Sequence, residues 1–144
     1  MFLNILAAVD GSPSSSRALE HAIDIARAMN SMLTVITVAP SSSRYIAVSG
    51  VSNDAMREEL DEWARGVLAD AVDAVPDDVI AHTIQRSGRA GQEIAAELER
   101  GHYDLLVLGS RGRGRAQEGL LGSVNGYLHF HSRVPLLSVP DDPD

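Results

Sequence analysis

The sequence contains no cysteine and no lysine, and each absence excludes a class of chemistry. Without cysteine the chain has no disulfide, no thiolate metal site and no cysteine nucleophile. Without lysine it cannot form a Schiff base, and it lacks the lysine of a Walker-type phosphate loop. All 12 basic residues are therefore arginine.

Basic charge is also scarce, since 12 basic residues face 20 acidic ones and the formal net charge is -8. This balance argues against a duplex nucleic-acid surface, which is basic because it neutralises phosphates. No apolar run approaches 18 residues, and Met1–Leu6 lacks the positive region and cleavage site of a signal peptide. We expect a soluble cytoplasmic protein with neither a nucleic-acid nor a membrane partner.

What the sequence does contain is an alternation of apolar strand patterns with helical patterns. Strands are predicted at Leu3–Val9, Met32–Val38, Val79–Gln85, Asp104–Leu108 and Pro135–Val139. Helices are predicted at Pro13–Met29, Asn53–Val75, Gln92–Glu99 and Ser123–His131. Such alternation favours one α/β domain with an open, parallel, five-stranded sheet, right-handed crossovers and helices on both faces. This domain is expected to span residues 1–140, followed by a frayed acidic tail at 141–144.

Three residues mark details of the helices. Ser12 suits an N-cap and Pro13 the first helical position. Trp63 lies on the apolar stripe of the second helix, which predicts a core residue and not a platform for a ligand. Gly101, just past the third helix, is predicted to cap it.

The segment Gly109–Asn125 concentrates glycine and arginine between the fourth strand and the last helix. Its glycines allow positive φ angles and close approach of the backbone to a ligand; they are Gly109, Gly112, Gly114, Gly119 and Gly122. Arg111, Arg113 and Arg115 add positive charge, and Gly122-Ser123 lies where a helix N-terminus would present unpaired N–H groups. The segment is typical of a phosphate-binding loop, with a disordered Arg-Gly loop as the alternative.

A second candidate region, Asp10-Gly11-Ser12, follows the first strand. With strand order 3-2-1-4-5 assumed, it would meet the Gly109 segment where the strand order reverses, which is where open α/β sheets bind ligands. The long loop from Ser41 to Ser52 is either a lid over this site or a tolerated surface insertion.

Catalytic and metal signals are weaker. His129 and His131 lie two residues apart, which places them on different faces of a helix. There is no G-x-S-x-G motif, and no general base stands out beside the phosphate loop. We therefore expect a binding module and not a dedicated enzyme, with neither a catalytic residue nor a protein metal site assigned.

Two matches make the chain resemble the universal stress protein family across Leu3–Val139. The first is ILAAVDGS at residues 5–12, followed by Ser15 or Ser16 and by Ala18-Leu19. The second is Gly109, Gly112 and Gly122-Ser123, which fit the family's ATP-binding pattern G-x2-G-x9-G-[ST]. At average glycine usage this pattern arises by chance in only about one chain in a hundred.

The resemblance implies a Rossmann-like fold of the adenine nucleotide alpha hydrolase type, strand order 3-2-1-4-5, and bound ATP with Mg²⁺. It further implies a homodimer formed through the last strand, which Ser138 and the flanking prolines would weaken. By position, the nucleotide-binding residues would be Ala8, Asp10, Val38, Gly109, Arg111, Gly112, Gly122, Ser123, Val124 and Asn125.

Three of these assignments carry alternatives or departures. Asp10 could instead be a turn or cap aspartate, and Val38 could be plain core. Asn125 replaces a small hydroxyl residue usual in the family, so its reach toward a phosphate differs.

The resulting hypothesis is a nucleotide-dependent regulator or signalling module of the stress response, in which ATP orders the Gly/Arg loop and the Ser41–Ser52 loop. One alternative is slow ATP hydrolysis or phosphoryl transfer, with Ser110 or Ser123 as acceptor. The other is a scaffold that binds no nucleotide. The protein partner is not identified by the sequence.

Overall fold

The computed structural model describes residues 1–41, 53–110 and 120–141. The strands are β1 (Asn4–Ala8), β2 (Met32–Ala39), β3 (Ala81–Ser87), β4 (Leu105–Gly109) and β5 (Leu136–Val139). The helices in the described ranges are α1 (Pro13–Met29), α2 (Asn53–Ala74), α3 (Ala90–Arg100) and α4 (Leu120–His131). Strands and helices alternate, as the hydrophobic pattern predicts.

The five strands form one parallel sheet in the order β3-β2-β1-β4-β5, which confirms the predicted order. Ala8, the last residue of β1, pairs with Ile36 on one side and with Leu108 on the other. The carboxyl ends of β1, β2 and β4 therefore meet at one edge of the sheet, which we call the carboxyl edge.

Two apolar cores lie on opposite faces of the sheet, because successive strand residues point to opposite faces. Ile5, Ala7 and Val107 face the first core, which α1 and α2 cover with residues such as Leu19 and Leu68. The second core contains Leu6, Ile36, Leu106, Ile94 from α3 and Leu128 from α4. The predicted helices on both faces are confirmed.

The first helix begins and ends as its sequence predicts. Ser12 is the N-cap, with its side chain accepting from the Ser15 N–H at 3.2 Å, and Pro13 occupies the first turn. Asn30 ends the helix in the left-handed conformation at φ 59°. Asparagine tolerates this conformation better than most residues with a Cβ.

Most element boundaries differ from the predictions by one to three residues, and two of these differences have consequences for the core or the site. β3 begins at Ala81 and not at Val79, because the Val79 N–H donates to the Pro76 carbonyl in a turn while its side chain fills the first core. The apolar side chain thus mimics a strand residue. Helix α4 begins at Leu120, so Gly122 and Ser123 lie inside its first turns and not before them.

Trp63, predicted to be a core residue, is half-buried, and it is not among the described residues that form the two apolar cores. Along α2 the first fully buried residue is Ala64, so the N-terminal turns of this helix are less covered than its C-terminal turns.

Gly101 caps α3 as predicted, but not in the left-handed conformation that usually favours glycine there. Its φ is -93°, and its N–H donates to the Glu97 carbonyl at 2.8 Å. A Cβ at this position would collide with the ring of Tyr103, including Cδ2 at 2.9 Å. The glycine therefore makes room for an aromatic ring.

Across the described ranges, no helix is both long enough and apolar enough to span a bilayer.

Candidate functional site

The carboxyl edge brings together segments that are far apart in the sequence. Asp10 and Ser110 each lie two residues beyond the Ala8–Leu108 pair on neighbouring parallel strands. On the other side of β1, the Val9 N–H donates to the Ile36 carbonyl at 2.9 Å. This bond continues the pairing with β2 one residue beyond Ala8, in the direction of Val38. The two candidate regions, Asp10–Ser12 and the start of the Gly/Arg segment, are therefore neighbours at the point where strand order reverses.

Asp10 is held in a tight turn between β1 and α1. Its Oδ1 accepts from the Ser12 N–H at 2.9 Å, and its own N–H donates to Ser15 Oγ at 3.2 Å. Gly11 between them has φ +83°, a conformation that side chains with a Cβ rarely adopt. Asp10 is thus a turn aspartate by its contacts, and it also lies at the carboxyl edge; the ligand role assigned by resemblance stays a prediction.

A buried threonine on β2 fixes the strand end that leads into this turn. Thr37 is 1% exposed, and its Oγ1 donates to the Val9 carbonyl at 2.7 Å. This bond satisfies a buried hydroxyl. It also links Val9, the residue that follows β1, to β2.

Gly109 ends β4 and packs directly against the first turn of α1. A Cβ built at this position would overlap Ser14 Oγ and would lie 2.7 Å from the Ser14 carbonyl carbon and 2.8 Å from the Ser15 nitrogen. In the described residues, glycines with positive φ are Gly11 and Gly88. Gly109 is therefore required by close helix–strand packing, and the expected positive φ angle is absent there.

Three apolar candidates lie on the face of the sheet that α3 and α4 cover. Ala8, Val38 and Val124 are half-buried and pack against the second core. Ala8 and Val38, both assigned to the nucleotide site by resemblance, are thus only partly covered by that core.

Helix α4 supplies the remaining described candidates. Ser123 is exposed, and Gly122 lies next to it in the helix. The side-chain amide of Asn125 donates to Ser138 Oγ on β5 at 2.6 Å. A phosphate contact by the side-chain amide of Asn125 would have to replace or share this bond.

Several candidates lie outside the described residues. They are Arg111 and Gly112, with the neighbouring Arg113, Gly114, Arg115 and Gly119, and the Ser42–Ser52 part of the suggested lid. Positions 142–144 of the predicted tail lie outside as well.

Sequence reasoning missed a buried charge cluster that fastens α3 to the sheet. Glu97 is 6% exposed and accepts from Arg86 Nη2 at 2.9 Å and from the Tyr103 hydroxyl at 2.8 Å. Burial, with a further contribution from Glu97, raises the pKa of Tyr103 above its ordinary value. Hydropathy patterns place glutamate outside, so no sequence signal identified Glu97 as buried.

In the parts of the chain that the structure describes, no group of three histidine, aspartate or glutamate side chains could hold a metal ion.

Sequence comparisons match this chain to proteins of one family. The model of the universal stress protein family matches residues 1–140. Universal stress protein YxiE of Bacillus subtilis is 30% identical over 147 residues, covering 96% of this chain and 99% of the relative. Universal stress protein Rv1996 of Mycobacterium tuberculosis is 31% identical over 98% of this chain, which spans only about half (49%) of that relative.

Solved structures agree on the fold. The hypothetical protein MJ0577 superposes with a TM-score of 0.85 at 23% identity, covering 100% of this chain and 99% of the other. A universal stress protein solved in complex with cAMP has a TM-score of 0.61 at 25% identity, with 96% of both chains covered. Sequence and structure comparisons thus cover the same region, which includes the carboxyl edge.

Proposed function

The chain belongs to the universal stress protein family, and on that premise we propose that it binds an adenine nucleotide, ATP with Mg²⁺, at the carboxyl edge. The observation that carries the proposal is the meeting of the Asp10 turn with the Gly109 end of β4 at the reversal of strand order. Open α/β sheets bind their ligands at this place. The solved relative in complex with cAMP supports the choice of an adenine nucleotide.

The adenosine end of the ligand fits the β1–β2 side of the edge. Ala8 and Val38 provide apolar contacts for the base, and an aspartate such as Asp10 can accept hydrogen bonds from ribose hydroxyls. Because the Asp10 backbone is fixed by the turn, little conformational entropy would be lost on binding.

The phosphate end fits the β4–α4 side. The first turn of α4 presents N–H groups and the positive end of the helix dipole, and the exposed Ser123 hydroxyl lies in these turns. Arg111, Arg113 and Arg115 stand in the connecting segment, in a chain whose net charge is otherwise strongly negative. Bound Mg²⁺ would neutralise phosphate charge, with the phosphates as its main ligands.

We propose a regulatory module and not a dedicated enzyme. Arginine stays protonated and is a poor base, so the arginines of the Gly/Arg segment do not supply a general base. Nucleotide occupancy would change the surface offered to a partner, including a second copy of the chain. Phosphate release that survives removal of contaminating ATPases and is lost in Ser123→Ala would favour the enzymatic alternative.

The test is a calorimetric titration of purified protein with ATP and Mg²⁺, together with mass spectrometry of small molecules released on denaturation. We expect a co-purified or titratable adenine nucleotide. In Asp10→Ala we expect affinity to fall by about tenfold or more, since a charge-assisted hydrogen bond contributes about 1.5–3 kcal/mol.

Asp24→Ala is the matched control, because it removes the same charge from an exposed position along α1. Its affinity should equal that of the wild type. Absence of any bound or titratable nucleotide would overturn the proposal and favour a scaffold that binds none. Equal losses in both variants would show that net charge, and not the carboxyl edge, governs binding.

A further inference from the structure

We propose that Ser15 is a positioning residue for nucleotide binding: its buried hydroxyl holds the backbone of Asp10 in place without touching the ligand. The inference rests on the proposed nucleotide function and adds a residue that the glycine pattern does not contain. Four hydrogen bonds and one close packing contact support the inference.

The hydrogen bonds form a closed ring around the β1–α1 turn. The Asp10 carboxylate accepts from the Ser12 N–H at 2.9 Å, Ser12 Oγ accepts from the Ser15 N–H at 3.2 Å, and Ser15 Oγ accepts from the Asp10 N–H at 3.2 Å. The Ser15 hydroxyl also donates to the Ser12 carbonyl at 3.0 Å. Because Ser15 is 2% exposed, its hydroxyl acts within this ring and not on a ligand in solvent.

The ring differs from the usual capping box in a way that gives Ser15 its role. In a capping box, the third helical residue accepts the N–H of the N-cap residue. Here the N–H of Ser12, the N-cap residue, donates to the Asp10 carboxylate instead. The hydroxyl of Ser15, the third helical residue, accepts from the N–H of Asp10. The helix cap therefore extends two residues upstream, onto the residue predicted to bind the ligand.

The first turn of α1 also packs against Gly109, at the start of the predicted phosphate-binding segment. Gly109 lies against it so closely that a Cβ there would be 2.7 Å from the Ser14 carbonyl carbon and 2.8 Å from the Ser15 nitrogen. The first turn of α1 thus contacts the Asp10 turn through Ser15 Oγ and the start of the phosphate segment through its backbone. One element fixes the position of Asp10 relative to Gly109.

The first experiment is a calorimetric titration of Ser15→Ala with ATP and Mg²⁺. Removing the hydroxyl releases the Asp10 N–H, and we expect a loss of affinity of about threefold to tenfold, the equivalent of one neutral hydrogen bond. If Ser15 acts through Asp10, the same substitution made in an Asp10→Ala background should change affinity by less than about twofold.

Ser31→Ala provides the matched control. Ser31 is also buried, at 6% exposure, and its hydroxyl donates to the Phe2 carbonyl near the opposite end of α1. Its removal deletes an equivalent hydroxyl–carbonyl bond far from the carboxyl edge, so stability should fall while ATP affinity stays unchanged. Wild-type affinity in Ser15→Ala, or an equal loss in Ser31→Ala, would overturn the role of Ser15.

A second measurement separates this inference from the proposed function. In ligand-free protein, hydrogen exchange of the Asp10 amide should accelerate in Ser15→Ala by more than any overall change shown by core amides such as that of Ile5. If the wild type binds no nucleotide, the proposed function fails. The exchange rate of the Asp10 amide then still tests whether Ser15 holds the turn. An unchanged exchange rate in Ser15→Ala would refute the positioning role even if ATP binds.

Discussion

At the scale of single residues, Gly109 shows that one glycine can satisfy two different demands. The motif places it at a phosphate-binding loop, whereas its immediate surroundings are the backbone of Ser14 and Ser15. Sequence alone cannot distinguish these reasons, because a missing Cβ serves ligand approach and helix packing equally well. The structure shows the packing directly.

Gly109→Ala is therefore expected to destabilise the fold even without ligand. The nearest atoms are backbone atoms of α1, which cannot rotate away, so we expect a loss of about 1–3 kcal/mol in the free energy of unfolding, as for overpacked cores. Urea unfolding of the nucleotide-free protein measures it. A wild-type unfolding midpoint would contradict the packing account and leave ligand approach as the reason for this glycine.

Residues whose roles depend on long-range contacts were the hardest to predict. Asp10 was identified because it follows an apolar strand at a turn, a local signal. Glu97 was missed because its burial depends on Arg86 and Tyr103, which lie on other parts of the chain. Asn125 was assigned to the ligand, while its contact with Ser138 could be known only once β5 lay beside α4.

At the scale of elements, hydrophobic periodicity predicted which segments are helices, but it did not predict which residues of each helix are buried. The apolar stripe of α2 is continuous, yet the first fully buried residue of the helix is Ala64. The pattern of apolar residues does not tell which turns of a helix the rest of the fold covers. The start of β3 was wrong for a related reason, since the buried side chain of Val79 belongs to a turn.

Helices α2 and α4 each contain a glycine that no neighbour among the described residues requires. An added Cβ at Gly66 in α2 or at Gly126 in α4 would meet no described atom within 4 Å, and neither glycine has a positive φ. Because glycine in a helix interior loses more backbone entropy than alanine, Gly66→Ala and Gly126→Ala should each stabilise the protein by about 0.5–1 kcal/mol. Chemical denaturation with an unchanged m-value is the measurement.

Gly91 in α3 serves as the comparison, because a Cβ there would lie 2.9 Å from Cδ1 of Tyr127. The propensity gain of Gly91→Ala should be cancelled or reversed by this contact with α4. Stabilisation of all three variants by the same amount would show that helix propensity outweighs packing here, against the contacts described.

At the scale of the whole molecule, the layered α/β architecture and the strand order agree with the sequence. Alternating elements restrict the topology to few choices, and the resemblance to a known family selected one of them. The meeting of Asp10 and Gly109 at the carboxyl edge followed from that order alone. The contacts that shape the site did not, because they depend on packing of α1 against β4, which no local pattern encodes.

The central position of β1 has a consequence for how the protein is made. Strand β1 must wait for β4, which is synthesised later, since the Asn4 N–H donates to Asp104 Oδ1 across 100 positions of the sequence. Until β4 has been synthesised and has paired with β1, Gly109 does not lie near Asp10. Nascent chains stalled with β4 still inside the exit tunnel should therefore not be retained on immobilised ATP, whereas chains stalled after β5 has emerged should be. Retention of the shorter chains would mean that the first half of the fold already binds nucleotide during translation.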